Sequence, residues 1–177
     1  ANPNVVVHRS TPSIHDPMAD VAVEHYRADR YVEAERVSRE VLGRDPNNAR
    51  MWRVNGESCI FLNRPEDGVK SLLEALRLQP EHGATHSNLA VALLKMNKPT
   101  DAAQHLRAAI AQQPDNADAL KGLGYALLMT NATDRVAVLG EAARHLRRAL
   151  ELRPDLPEAV QNLGLSEEIC LSLSLSL

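Results

Sequence analysis

Few residues in this sequence stand at spacings that chemistry requires. His82 and His86 are four apart, a separation at which two imidazoles on one helix can share a metal ion. The pair straddles a turn and a helix start, and no third ligand is obvious, so it reads as coincidental. Cys59 and Cys170 are the two cysteines, too few for a disulfide framework or a metal knuckle, and they leave the redox compartment open. Cys59 falls on an apolar seam, where a thiol behaves as a small hydrophobe. The chain has no glycine-rich phosphate loop, no Gly-x-Ser-x-Gly and no His-Glu-x-x-His. Asn131-Ala132-Thr133 has the form of a glycosylation acceptor, a three-residue match that arises readily by chance. Arg144, Arg147, Arg148 and Arg153 are interspersed with Glu141 and Glu151, the pattern of a solvated helix face rather than a phosphate patch. The expectation is a chain with no active site, no metal and no cofactor.

Composition narrows the classes further. The 177 residues are 44% hydrophobic and 24% charged, a globular balance that excludes wholesale disorder. A net charge of −3 argues against nucleic acid as the partner, and 3% aromatics are too few for a base-stacking surface. No run approaches the ~20 consecutive apolar residues of a membrane-spanning helix. No signal segment is visible, and the cytoplasm is the expected compartment.

The elements that must position any function are repeated. Arg44-Asp45-Pro46, Leu78-Gln79-Pro80, Gln112-Gln113-Pro114 and Leu152-Arg153-Pro154 end in prolines spaced by 34, 34 and 40 residues. Each proline follows a helical apolar pattern, as expected just past a helix C-terminus. In that register small residues coincide at Ala22, Gly56, Ala90, Gly124 and Gly164, and again at Ala34, Gly68, Ala102 and Ala142. Small residues let antiparallel helices approach closely, while Leu72, Leu106 and Leu146 fill the seam. Pro65 and Pro99 open second helices, and Asn63 and Asn97 occupy the turns before them, where left-handed geometry is tolerated. The pattern predicts helices near 17–28, 31–43, 49–62, 65–78, 83–96, 99–112, 117–130, 134–152 and 157–168.

These residues resemble the tetratricopeptide repeat family. Its 34-residue pattern is matched by Trp52, Gly56, Gly68, Leu72, Ala75 and Pro80, and again by Leu89, Ala90, Leu93, Ala102, Leu106, Ala109 and Pro114. A further copy runs through Leu120, Leu123, Gly124, Leu127, Ala142, Leu146, Ala149 and Pro154. His25, Ser38 and Asn55 depart from it at usually apolar places. The resemblance implies an all-α fold, a right-handed superhelical solenoid of antiparallel helix hairpins, with four repeats plus a partial fifth. The expected organisation is a disordered N-terminal segment over 1–14 and a solenoid over 15–165. Its repeats are 15–48, 49–82, 83–116 and 117–156, with a partial fifth from 157, and an atypical tail covers 166–177. Six extra residues lie within Thr130–Gly140, with Thr133 as the expected helix cap. Leu171–Leu177 alternates leucine and serine, a strand-like period that reads as a truncation or an unusual terminus.

In this family the first helices of the hairpins line a concave groove that holds an extended peptide or a partner helix. The seam residues fix the opposite face by the 100° rotation per residue. That face carries Arg50, Arg53, Glu57, Ile60 and Phe61, then Ser87, Val91, Leu94 and Lys95 with Asn88 at the edge, then Asp118, Lys121, Tyr125, Leu128 and Met129. Of these, Arg50, Arg53, Glu57, Phe61, Asn88, Lys95, Lys121, Tyr125 and Met129 are the expected partner-binding residues. Four cations against Glu57 and Asp118 predict a mildly basic groove and an acidic or amphipathic protein or peptide partner. The chaperone-tail clamp subfamily fits poorly, because Glu57 and Gly122 occupy two of its places and a carboxylate at Glu57 would repel a C-terminal carboxylate. The expectation is therefore a non-enzymatic adaptor or assembly scaffold. The alternatives are a substrate-recognition arm of a larger enzyme of glycosyltransferase or sulfotransferase type, or a secretion chaperone. Self-association through the apolar C-terminal end is a further expectation.

Overall fold

The computed structural model describes residues 16–175, so the segment 1–14, expected to be disordered, lies outside them. The described residues form nine helices: α1 (Pro17–Arg27), α2 (Tyr31–Arg44), α3 (Ala49–Phe61), α4 (Pro65–Leu78), α5 (Gly83–Lys95), α6 (Pro99–Gln112), α7 (Ala117–Met129), α8 (Arg135–Leu152) and α9 (Pro157–Leu175). Both ends of the first eight fall within one residue of the ranges read from the repeat.

The turns inside the hairpins show why. Asp29, Asn63 and Asn97 take left-handed φ values of 57°, 58° and 56°. This conformation lets the next amide reach back to the last turn of the preceding helix: Arg30 N to His25 O, Arg64 N to Cys59 O and Lys98 N to Leu93 O, each 2.9 Å. Pro65 and Pro99 then open the second helix without losing a bond. Between hairpins, Asn48, His82 and Asn116 cap the following helix through side chains placed at the amides of Met51, Thr85 and Ala119.

Successive helices pack on one another, and α1, α3, α5, α7 and α9 also touch in sequence. No such contact joins α2, α4, α6 and α8 among the described residues. The first helices of the hairpins are therefore crowded on the inside of a curve and the second helices splay on the outside. Each hairpin closes over its small residues. A Cβ at Gly56 would lie 2.7 Å from Leu72 Cγ and 3.0 Å from the Gly68 carbonyl, so only glycine fits this crossing. Gly124 faces Leu146 in the same way.

Three apolar clusters lie along the solenoid: one over α1, α2 and the start of α3, a large one from α3 to α8, and one joining α7, α8 and α9. Polar groups interrupt the first boundary. Asn55 Nδ2 donates to Ser38 Oγ (3.0 Å), and Ser71 Oγ donates to Asn55 Oδ1 (2.8 Å). Two of the departures from the repeat pattern are thus one complementary buried pair. Beside them Arg64 donates twice to the buried Glu35 carboxylate, at 2.9 Å each, and also binds Asp67. Burial pushes the Cys59 thiol up to about 11, which fits a packed rather than a reactive cysteine.

Two local expectations are corrected. The cap of α8 is Asp134, whose carboxylate accepts from Ala137 N (3.0 Å), not Thr133. A carboxylate one residue nearer the helix holds the charge against its N-terminal amides, which a threonine cannot. The extra residues make α8 18 residues long, against 14 in α6, and Arg135 reaches back to the Leu128 carbonyl (2.8 Å) and to that of Thr130 at the end of α7. At the C-terminus α9 runs on to Leu175, so the leucine–serine alternation is helical there. A lone strand would find no edge to pair with, whereas a helix satisfies its own backbone.

Gly124→Val should cost about 1–3 kcal/mol by overpacking against Leu146, lowering the melting temperature by roughly 5 °C. Asn55→Leu should cost about 1–3 kcal/mol by stranding the buried Ser71 hydroxyl, while Ser38 keeps its donation to the Glu35 carbonyl. Adding Ser71→Ala should restore part of that loss in urea unfolding.

Candidate partner-binding groove

All nine expected site residues stand on inner helices: Arg50, Arg53, Glu57 and Phe61 on α3, Asn88 and Lys95 on α5, and Lys121, Tyr125 and Met129 on α7. The apolar members remain open to solvent. Phe61 is 58% exposed, Val91 46%, Tyr125 40% and Met129 47%. Leu94 and Leu128 are half-buried against the large apolar cluster and form the floor between them.

The charged members behave differently from a free basic surface. Arg50 pairs with Asp20 (3.0 Å), and Arg53 Nε lies 3.6 Å from Glu57. Lys121 lies 3.6 Å from Glu158 and 3.9 Å from Asp118, which also binds Arg153. Of the four cations, Lys95 alone makes no ion pair among the described residues. The mildly basic groove read from residue counts becomes a neutralised face with one exposed ammonium. The count missed the acids supplied by α1 and α9, which lie outside repeats two to four.

Glu57 is the hub of the first half. Its carboxylate accepts from Tyr26 of α1 and from Asn88 of α5, beside Arg53 on its own helix, and so ties three successive inner helices together. Burial holds its carboxyl above the ordinary glutamate range, against the opposing pull of Arg53, Tyr26 and Asn88. The Asn88 amide nitrogen is therefore occupied. His82 extends the network: its Nε2 lies 3.1 Å from the Arg53 guanidinium. Its Nδ1 accepts from the Thr85 amide at 3.2 Å and lies 2.9 Å from Thr85 Oγ. Burial and the Arg53 charge both lower the His82 pKa, keeping the ring neutral.

His86 is not paired with His82. It donates Nε2–H to the Pro80 carbonyl (2.9 Å) and faces His105 Nδ1 across 3.0 Å. Among the described residues no group of three metal-ligating side chains occurs.

Tyr26 and Tyr31 join the site without having been singled out as partner-binding residues. Tyr31 stacks on Phe61 with centroids 4.4 Å apart and planes within 5°, and Tyr26 packs 6.1 Å from the same ring. The signal was present, since Tyr26 occupies in the first repeat the register of Ile60 in the second. A shallow pocket of about 300 Å³ opens between α5 and α7, lined by Ser87, Asn88, Val91, Leu94 and Gly122 among others.

Paired helices, an inner row of first helices and left-handed turns before the second define a tetratricopeptide-repeat solenoid. Residues 87–135 match the family model described as tetratricopeptide repeat, and the chain carries such repeats. Solved structures share the fold. One to which this chain is similar is MamA (41-end) from Desulfovibrio magneticus RS-1, at 21% identity and TM-score 0.75, covering 92% of each chain. A second is YrrB, described as a TPR protein with an unusual peptide-binding site, at 20% identity and TM-score 0.74 over 86% of this chain and 76% of that one. A third is the first TPR of Spaghetti (RPAP3) bound to an HSP90 peptide, at 20% identity and TM-score 0.63 over 71% of this chain and 94% of that one. Among curated proteins none is significantly similar in sequence.

Because the folded-state pKa of Glu57 is raised, its contribution to stability falls as pH rises above the ordinary glutamate value of 4.5. The melting temperature of wild type minus that of Glu57→Gln should accordingly decrease from the acid end of this range towards neutrality, then level off. A difference that increases with pH would refute the assignment of burial as the dominant effect.

Proposed function

We propose that this chain is a non-enzymatic interaction module, an adaptor or assembly scaffold, that holds a peptide or helix of a protein partner in its concave groove. The observation that carries the reading is the row of exposed apolar groups on successive inner helices, Phe61, Val91, Tyr125 and Met129. Water gains nothing from such a row, whereas a partner that covers it gains roughly 25 cal/mol for each Å² of apolar surface buried. The peptide-bound RPAP3 structure and the peptide-binding site of YrrB support the reading on the level of fold. The internal ion pairs favour an amphipathic segment over a uniformly acidic one, since Arg50, Arg53 and Lys121 already have carboxylates.

Peptides selected from a random display library on the full chain test this. Tyr125→Asp combined with Met129→Asp should weaken the selected peptides by about thirtyfold, the loss of one interface hot spot. Its melting temperature should stay near that of wild type, because both side chains are exposed. Unchanged binding by that variant would remove the groove from the function.

A further inference from the structure

The inner face is poor in the groups that an extended segment requires. Such a segment, laid across the inner helices, leaves its own amides and carbonyls unpaired, so each helix it crosses must offer a side-chain partner. The row placed to do so runs Val54, Asn88, Gly122 and Asn162, one position on each of α3, α5, α7 and α9. Val54 is apolar and buried, and Gly122 carries no side chain. Asn88 Nδ2 donates to Glu57. Two of the four places are thus blank and a third is committed. The neighbouring polar groups are engaged as well. Arg53 is held by Glu57 and His82, and Lys121 by Asp118 and Glu158. The Ser87 hydroxyl is closed off from solvent.

The same face is rich in what an amphipathic helix requires. Val91, Tyr125 and Leu165 hold one register on α5, α7 and α9, and all three are exposed. Phe61 and Met129, one turn further along α3 and α7, are exposed too. Packed helices lie about 8–10 Å apart, which sets the step at which these apolar groups recur. Seven residues of an α-helix advance about 10 Å, so apolar side chains at heptad spacing meet successive inner helices. The row from α3 to α9 then spans about 30 Å, the length of a helix of about 20 residues.

We propose that the groove receives an amphipathic α-helix of a partner, about 20 residues long with an apolar stripe at heptad spacing. A helix pairs its own amides and carbonyls, so the blank places at Val54 and Gly122 cost it nothing. Its stripe covers Phe61, Val91, Tyr125, Met129 and Leu165, and its polar flanks remain in water. This rests on the groove reading above and adds to it the conformation and residue pattern of the segment held there.

Two display libraries selected on the full chain test this. One fixes leucine at the a and d positions of three heptads, in a background of alanine, glutamate, lysine and glutamine. The other has the same length and leucine content but carries proline at every third position, which keeps it extended. The helical library should yield peptides about tenfold tighter than the extended one, and Tyr125→Asp with Met129→Asp should abolish their binding. Proline at the centre of the best helical peptide should weaken it about a hundredfold. The far-UV circular dichroism of its complex should show more helix than the sum of the separate spectra. Extended peptides that bind as tightly and depend on Tyr125 and Met129 would keep the groove and overturn the helix. A central proline without effect would overturn it as well. If no peptide from either library responds to the Tyr125/Met129 variant, the groove reading itself falls and the helix with it.

Discussion

The close crossing of paired helices is the constraint on which the rest depends. Gly56 against Gly68 and Leu72, and Gly124 against Leu146, leave no room for a Cβ, so the α3–α4 and α7–α8 hairpins close as tightly as a glycine allows, and Ala22 and Ala90 hold the same register in two others. With hairpins that tight, the first helices meet one another along the inside of the curve. Their outward-turned residues then form one surface rather than a series of separate ridges. Phe61, Val91, Tyr125 and Met129 come from three helices and would share no face if the crossings were looser.

A solenoid has no single core, and here its interior is divided. The Asn55–Ser38–Ser71 group and the Glu35–Arg64 pair stand beside the apolar contacts that Met51 and Val54 make with the first hairpin. Buried polar groups contribute less stability than well-packed hydrophobes when satisfied, and cost much when broken. On the inner side Glu57 compensates by linking α1, α3 and α5 through one carboxylate.

Most of the fold was legible because repeats report themselves. Prolines past helix ends, small residues in register and asparagines in left-handed turns place helices within a residue of where they lie. Where the repeat broke, sequence reasoning weakened. The Asp134 cap lies inside an insertion with no homologous copy for comparison, and the leucine–serine run of α9 carries no helical period strong enough to name it. The site was legible as a face but not as an electrostatic object. Lys121 lost its apparent charge to Glu158, and Arg50 to Asp20, through contacts between repeats that a residue count within each repeat does not include. The aromatic stack of Tyr31 on Phe61 likewise joins residues thirty positions apart.

The division of the interior also orders the way the molecule comes apart. In a linear array, opening free energy is set locally by nearest-neighbour coupling rather than by the molecule as a whole. The largest apolar cluster spans α3 to α8, while the first hairpin has its own smaller cluster, reaching only the start of α3 and flanked by polar groups, and the last helix covers one neighbouring hairpin only. Amide protons of α1 and α2 therefore exchange through smaller excursions than those of α5 and α7. Fraying proceeds from the ends inward, and the stretch that carries Ser87, Val91 and Tyr125 is the last to melt.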